Sequence, residues 1–159
     1  MNAPTRHAGV QVEAPDDAPV ILMTRDFAAT PAQLRRAHLD PEIFARWIGP
    51  KGYVTEIDRW DARTGGSWRF THQGHGFFGS FHEVGHDRLV QTFTWEGMPT
   101  SVSVDTLTFE DLGDGRTRLR TKSFFESFPA RDGMLSSGME GGVSDGYEKL
   151  DDLLADGAL

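Results

Sequence analysis

Hydrophobic and polar positions divide the chain into stretches with different periodicities. Residues 1–18 show no periodicity and are rich in Ala, Pro and Asp, which predicts a disordered tail. From residue 19 the apolar run PVILMTRDFA predicts a first strand. Two short helices follow. Each begins with an N-cap residue and a proline, at Thr30-Pro31 and Asp40-Pro41, and Gly49-Pro50 ends the second.

The middle of the chain alternates with a period of two. Between Tyr53 and Phe124 there are about six strand-like segments joined by turn sequences such as LGDG at 112–115. Short connections between consecutive strands favour antiparallel hairpins. We therefore expect an antiparallel meander, and in one of its strands we expect Trp68, Phe70 and His72 to face the interior.

A helical rhythm returns near the C-terminus. Apolar residues recur at three- and four-residue steps from Met134 or Leu135 to Leu154, which predicts one long amphipathic helix. Its glycines each cost about 1 kcal/mol relative to alanine, so they indicate a close approach to the sheet or a bend. This order of elements predicts a single domain over 19–156. Its expected class is α+β, with a curved antiparallel sheet of six to seven strands wrapped around the C-terminal helix and two short helices after the first strand.

Composition narrows the classes of function. The formal net charge of −8 disfavours binding to nucleic acid, because the phosphate backbone is also negative. The absence of cysteine excludes thiol nucleophiles and cysteine-ligated zinc, and it agrees with a cytoplasmic location. No secretory h-region and no apolar run of membrane-spanning length is present, so we expect no membrane contact.

Five stretches, in the order in which they occur, resemble one protein family. They are WIGPKGY at 47–53, DARTGGSWRF at 61–70, GSFHEV at 79–84, FEDLGDGRTRL at 109–119, and MLSSGMEGG at 134–142 continuing to 149–154. Within the START-like (SRPBCC) superfamily they are similar to the branch called activator of heat-shock-protein-90 ATPase homologue-like. The resemblance implies the helix-grip fold, also called START-like or Bet v-like, and it implies little about a reaction.

A sheet that grips one helix can leave space between the two, and the aromatic residues of this chain are concentrated in its middle. We expect an apolar cavity there for a small hydrophobic, aromatic or lipid-like molecule. The expected ligand-binding residues are Trp47, Trp68, Phe70, His72, Phe77, Phe81, Phe93, Trp95, Met134, Met139, Val143 and Tyr147. The alternative is that these side chains fill a closed core, which is the commoner use of aromatic residues.

Four histidines, at positions 72, 75, 82 and 86, lie close together in the sequence. Their spacing matches no metal-ligand pattern, so we expect no metal, and nothing in the sequence indicates another cofactor. His72 and His82 are weak candidates for catalysis, because a histidine inside an apolar pocket can transfer a proton. A structural or exposed histidine is the simpler interpretation of both.

Three functions follow from these observations. The first is a carrier or sensor of a small hydrophobic molecule, which needs no catalysis. The second is a cyclase- or hydrolase-type enzyme that uses His72 or His82 in the cavity. The third is a stress-related, co-chaperone-like protein binder, as the family name suggests, although a lone domain with a short tail gives no reason to expect a chaperone partner. A homodimer through a strand edge or the helix face is compatible with the sequence.

Overall fold

Eight strands and four helices make up residues 9–159, the part of the chain that this computed structural model describes. The strands are β1 (Gln11–Glu13), β2 (Val20–Phe27), β3 (Thr55–Trp60), β4 (Ser67–His72), β5 (His75–Val84), β6 (Arg88–Trp95), β7 (Ser103–Gly113) and β8 (Arg116–Phe125). The helices are α1 (Pro31–Leu39), α2 (Pro41–Trp47), α3 (Phe128–Ser136) and α4 (Met139–Ala155). Within the described residues, no helix has both the length and the apolar character that crossing a membrane requires.

All eight strands belong to one sheet, with the order β1-β2-β8-β7-β6-β5-β4-β3 and antiparallel pairing throughout. From β3 to β8 each strand pairs with the next one along the chain, which confirms the expected meander. Helices α1 and α2 connect β2 to β3, which lies at the opposite edge of the sheet. The α+β class and the helix-grip architecture are confirmed, with eight strands in place of six to seven.

The extra strand, β1, lies within the predicted tail. Gln11–Glu13 pairs with Leu22–Thr24 of β2, and the side chain of Val12 packs against the apolar cluster of Ile21, Met23 and Phe125. The prediction of a disordered tail over 1–18 is therefore wrong for this strand, because Val10 and Val12 give the segment apolar surface to bury. The rest of that prediction, for residues 1–8, lies outside the described residues.

The start signals of the two short helices act as their sequences predict. The hydroxyl of Thr30 accepts a hydrogen bond from the Gln33 backbone N–H, and the Gln33 side chain accepts one from the Thr30 N–H, which completes a capping box. The Asp40 carboxylate caps α2 by accepting hydrogen bonds from the backbone N–H groups of Glu42 and Ile43, without a reciprocal bond. These caps fix the orientation of the two helices, whose apolar faces bury Leu34 and Trp47 in the core.

The C-terminal region is broken into two helices, so the prediction of one long helix from Met134 or Leu135 is wrong. Ser137 and Gly138 separate α3 from α4, and Gly138 adopts a left-handed conformation with φ of 87°. A residue with a Cβ is strained in that conformation, whereas glycine adopts it freely. The break places Met134 on α3 and Met139 in the first turn of α4.

Helix α4 packs on the concave face of the sheet through Tyr147, Leu150 and Leu153, all of which are buried. Gly146, one turn before Leu150, lies against Trp47 at the end of α2. A Cβ at this position would come within 2.9 Å of the backbone oxygen of Trp47. Glycine therefore permits a close approach of α4 to α2, whereas the sequence had indicated an approach to the sheet or a bend.

We expect Gly146→Ala and Gly141→Ala to change stability in opposite directions. The added methyl group at Gly146 must displace backbone atoms, and overpacking of this kind costs about 1–3 kcal/mol. At Gly141 nothing lies within 4 Å of the added Cβ, so alanine should gain up to about 1 kcal/mol of helix propensity. Urea denaturation of the two variants measures both effects. Equal stabilisation by the two substitutions would show that the approach at Gly146 is not tight.

Candidate functional site

A cavity of about 150 Å³ lies between the inner face of the sheet, the helices α1 and α2, and the first half of α4. Most of its wall is aromatic, formed by Phe44, Trp47, Trp60, Trp68, Phe70 and Phe93. Helix α4 contributes Gly142, Val143, Gly146 and Tyr147 to the opposite side. Because three of these four α4 residues are Gly or Val, the helix covers the space without filling it.

Half of the residues predicted to bind a ligand line this cavity. They are Trp47, Trp68, Phe70, Phe93, Val143 and Tyr147. The burial of β4 alternates as expected: Trp68, Phe70 and His72 are buried and their neighbours are only partly covered. The stacked rings of Trp68 and Phe70, with centroids 5.4 Å apart, form one continuous wall.

Phe77 and Phe81 have the expected inward direction but pack behind the cavity wall. The Phe77 ring lies 5.3 Å from that of Phe70, and the Phe81 ring lies 5.6 Å from that of Trp60. Both belong to the aromatic cluster that supports Trp68 and Phe70. In this structure both rings pack against the residues of the wall and do not line the cavity themselves.

Trp95, Met134 and Met139 do not line the cavity. Trp95 is the last residue of β6, where 40% of it is exposed and its ring covers Gly97. Met134 and Met139 pack with Ile21, Met23 and Phe125 in a separate apolar cluster. The helix break at Gly138 is the cause, because the two methionines flank the break and lie beyond the part of α4 that faces the cavity.

The candidate histidines also lie outside the cavity. His82 is exposed on β5, where its Nε2 is 2.9 Å from the hydroxyl of Ser80. His72 is buried between Gly49, Tyr53 and Phe77, and burial lowers its pKa. Its Nδ1 has no hydrogen-bond partner among the residues that the structure describes. Neither ring lines the cavity wall. Across residues 9–159, no cluster of three His, Asp or Glu side chains could hold a metal ion.

The sequence interpretation missed the polar groups of the cavity, which are His38, Gln91, Asp105 and Thr121. The sheet register brings three polar residues into one row, because Asp105 of β7 lies opposite Gln91 of β6 on one side and Ser123 of β8 on the other. Polar residues at the same parity as Phe93 and Leu107 were the available signal. The parity of β6 and β7 is fixed only by the pairing of the whole sheet, so the signal could not be used alone.

Asp105 supplies the carboxyl group of this row, and its pKa is shifted from the ordinary value. Burial raises its pKa to about 6, although hydrogen bonds with Ser123 and Ser103 oppose the rise. The Ser103 hydroxyl donates to Asp105 Oδ1 over 3.0 Å. Protein atoms surround the group, yet part of its surface stays uncovered, as expected for a side chain that borders a cavity.

The two other titratable groups of the wall are neutral near pH 7. Burial lowers the pKa of His38 to about 4, and its Nδ1 is 2.8 Å from the backbone oxygen of Leu34, to which a neutral ring donates. Burial raises the pKa of Tyr147 to about 12. Asp105 is therefore the one group among the cavity-lining residues whose protonation changes between pH 5 and 7.

Comparison with known proteins gives the family of the chain. The model of the family described as Activator of Hsp90 ATPase homolog 1-like protein matches residues 28–155. The chain belongs to this family. The resemblance inferred from the five motifs is thereby confirmed, including the family's place in the START-like superfamily. A search of curated proteins finds no match to the chain.

Several solved structures share the fold of this chain. A crystal structure from Rhodobacter sphaeroides has a TM-score of 0.84 at 25% identity and covers 93% of this chain and 99% of its own. A solution structure from Arthrobacter aurescens has a TM-score of 0.83 at 23% identity, covering 92% and 91%. An HSP90 activator from Plasmodium falciparum is more distant, with a TM-score of 0.64 at 17% identity, covering 86% and 96%.

We expect Asp105→Asn to stabilise the protein at pH 7.5. Because the folded-state pKa of about 6 lies above the ordinary value of 3.8, the folded protein keeps a proton that the unfolded chain releases. Stability therefore falls as pH rises from about 4 to 6 and stays lowered above that range, by at most about 3 kcal/mol. The variant lacks this loss and should exceed the wild type at pH 7.5 by on the order of 1–3 kcal/mol.

Chemical denaturation at pH 4 and at pH 7.5 measures the effect. Asp87→Asn, which removes an exposed carboxylate from the turn before β6, is the matched control and should change stability little at either pH. A loss of stability in Asp105→Asn that is the same at both pH values would contradict the raised pKa.

Proposed function

We propose that the protein binds a small aromatic or otherwise apolar molecule in the cavity between the sheet and α4, as a carrier or sensor. The observation that carries the proposal is the cavity of about 150 Å³, enclosed largely by aromatic side chains. Pre-formed apolar cavities with a few converging polar groups are the usual form of small-molecule sites. Gln91, Asp105 and Thr121 are such polar groups here.

The volume limits the size of the guest. An engineered protein cavity of about 150 Å³ with apolar walls stays free of water and binds benzene. A molecule with one substituted six-membered ring therefore fits the space as it stands. A lipid or a polycyclic compound would need α4 to move away from the sheet, so the lipid-like ligands suggested by the sequence are less well supported.

The other two functions have weaker support. A histidine-based enzyme needs His72 or His82 at the cavity, and neither lines it. Chaperone binding rests on the family description and on the Plasmodium falciparum HSP90 activator, whose similarity at 17% identity extends to the fold alone. A cytoplasmic location, a connection with stress and a homodimer stay predictions from the sequence.

Thermal unfolding in the presence of one-ring compounds tests the proposal. Toluene or benzyl alcohol at one hundred times its Kd should stabilise the folded protein by about 2.7 kcal/mol, because each binds only the folded state. For a chain of this length that is a rise in Tm of roughly 5–10 °C. The absence of a shift with any one-ring compound at saturating concentration would contradict the proposal.

A cavity-filling variant tests whether the thermal shift comes from binding in the cavity. Val143 projects into the cavity from α4, so Val143→Phe should occupy the space of the guest and abolish the thermal shift. The same substitution at Val54, which is 70% exposed and does not line the cavity, is the matched control and should retain the full shift. Equal shifts in both variants would place the compound elsewhere on the protein.

A further inference from the structure

Asp105 places a carboxylate at an apolar cavity without a cation beside it. It lies in the middle of the sheet, on the inner face of β7, between Gln91 and Ser123 of the neighbouring strands. The Ser103 hydroxyl donates to its Oδ1 over 3.0 Å, and the neighbouring Ser123 hydroxyl also favours the carboxylate form, so both groups around it are neutral. Of the residues that the structure describes, none forms an ion pair with it. A buried charge of this kind is costly unless something pairs with it.

No charged group on the elements packed around the cavity fills that role. His38 of α1 and Tyr147 of α4 are neutral near pH 7. Arg25 lies on β2, two strands from β7, and its backbone is displaced from the Asp105 row by four residues, about 13 Å along the strand direction. Both of its terminal nitrogens bond to the Asp151 carboxylate. Lys149 of α4 does not line the cavity, and its ammonium group donates to the backbone oxygen of Pro50 over 3.3 Å.

Gln91 adds an amide next to the carboxylate, with an oxygen that accepts hydrogen bonds and an NH2 group that donates them. It lies directly opposite Asp105 in the register of β6 and β7, and it also lines the cavity. Its side-chain amide makes no hydrogen bond with any residue in 9–159. An ionised carboxylate accepts only, at about four lone-pair sites, and two serine hydroxyls leave part of this capacity unused. The pair therefore offers unused oxygen acceptors to a guest with several N–H donors.

The walls of the cavity also favour a positive charge. The rings of Phe44, Trp47, Trp68, Phe70 and Phe93 surround the space. The faces of aromatic rings attract cations, and the attraction increases when the cation is shielded from water. A molecule that carries both a ring and an ammonium group would place the ring against the aromatic wall and the charge against Asp105.

We propose that the cavity selects a small aromatic cation, such as an arylalkyl ammonium ion, whose N–H groups donate to Asp105 and to the Gln91 amide oxygen. This inference rests on the proposed binding cavity and adds the charge of the guest to it. The competing explanation gives Asp105 a purely structural task, the ordering of Ser103 and Ser123. The two explanations differ in one respect, since a structural carboxylate gives no preference for a charged guest over a neutral guest of the same shape.

Benzylamine and benzyl alcohol form a suitable pair of probes, because they have the same shape and differ in charge at pH 7.5. Titration followed by NMR or calorimetry should give a Kd for benzylamine at least tenfold lower than that for benzyl alcohol. In Asp105→Asn the preference should disappear, because benzylamine loses its charge partner and most of its affinity, whereas benzyl alcohol can still donate to the amide oxygen and loses much less. Asp87→Asn, the exposed control, should keep the preference of the wild type.

The pH of the titration gives a second readout that does not need a variant. As pH falls from 7.5 to 5, Asp105 takes up a proton, so affinity for benzylamine should fall several-fold while affinity for benzyl alcohol stays constant. His38 and Tyr147 stay neutral throughout this range, and His72 and Lys149 lie outside the cavity wall. The titration of Asp105 is therefore the only change at the wall that the probes would detect.

The outcomes separate the two proposals. Equal affinities for the two probes in the wild type, or tighter binding of benzyl alcohol, would overturn the selection of a cation and leave the apolar cavity as a binding site. If neither probe binds, nor any other one-ring compound, the cavity does not act as a site and both proposals fall. A pH-independent preference for benzylamine that survives in Asp105→Asn would also overturn the inference, because another group would then supply the charge.

Discussion

The packing of α4 on the concave face of the sheet is the constraint on which the rest of the structure depends. In its second half, Tyr147, Leu150 and Leu153 are buried and fix the helix to the core. In its first half, Gly142, Val143 and Gly146 carry little or no side chain. Both halves belong to one helix, so the packing of the large residues also sets the distance between the small residues and the sheet. The cavity is a consequence of this uneven distribution of side-chain volume.

The same packing explains why the polar row matters. A polar group on the inner face of a sheet is normally expelled or paired, since burial without a partner costs free energy. Here the first half of α4 stays far enough from the sheet to leave Gln91 and Asp105 at the wall of the cavity. Thr121 and Tyr147 both line the cavity, and the Thr121 side chain lies within hydrogen-bonding reach of the Tyr147 hydroxyl. The chemistry of the cavity therefore comes from the sheet, and its size comes from the helix.

The sequence predicted much of this fold because local signals and tertiary structure agree. The capping residues Thr30 and Asp40 begin their helices, and the alternation of Trp68 and Phe70 gives the buried face of β4. The break at Gly138 was missed because the three- and four-residue rhythm of apolar residues continues across it. That rhythm reports burial, and both helices bury apolar side chains, so it cannot reveal a change of direction.

The site was harder to predict than the fold. Six of the twelve proposed ligand residues line the cavity, and these are apolar residues whose burial follows from strand alternation or helix spacing. Asp105 and Gln91 were missed because their inward direction depends on the register of β6, β7 and β8, which is a property of the assembled sheet. Neither candidate histidine lines the cavity, because His82 lies on the exposed face of β5 and His72 is buried outside the cavity wall.

The central claim is that a one-ring molecule occupies the space between α4 and the sheet. Intermolecular NOEs from the ring protons of bound benzyl alcohol test this claim most directly, because they report which side chains surround the guest. The account predicts NOEs to the methyl groups of Val143 and the rings of Tyr147 and Phe93, which line the cavity. NOEs confined to the exposed side chains of Val104 and Phe124, on the outer face of the sheet, would contradict it.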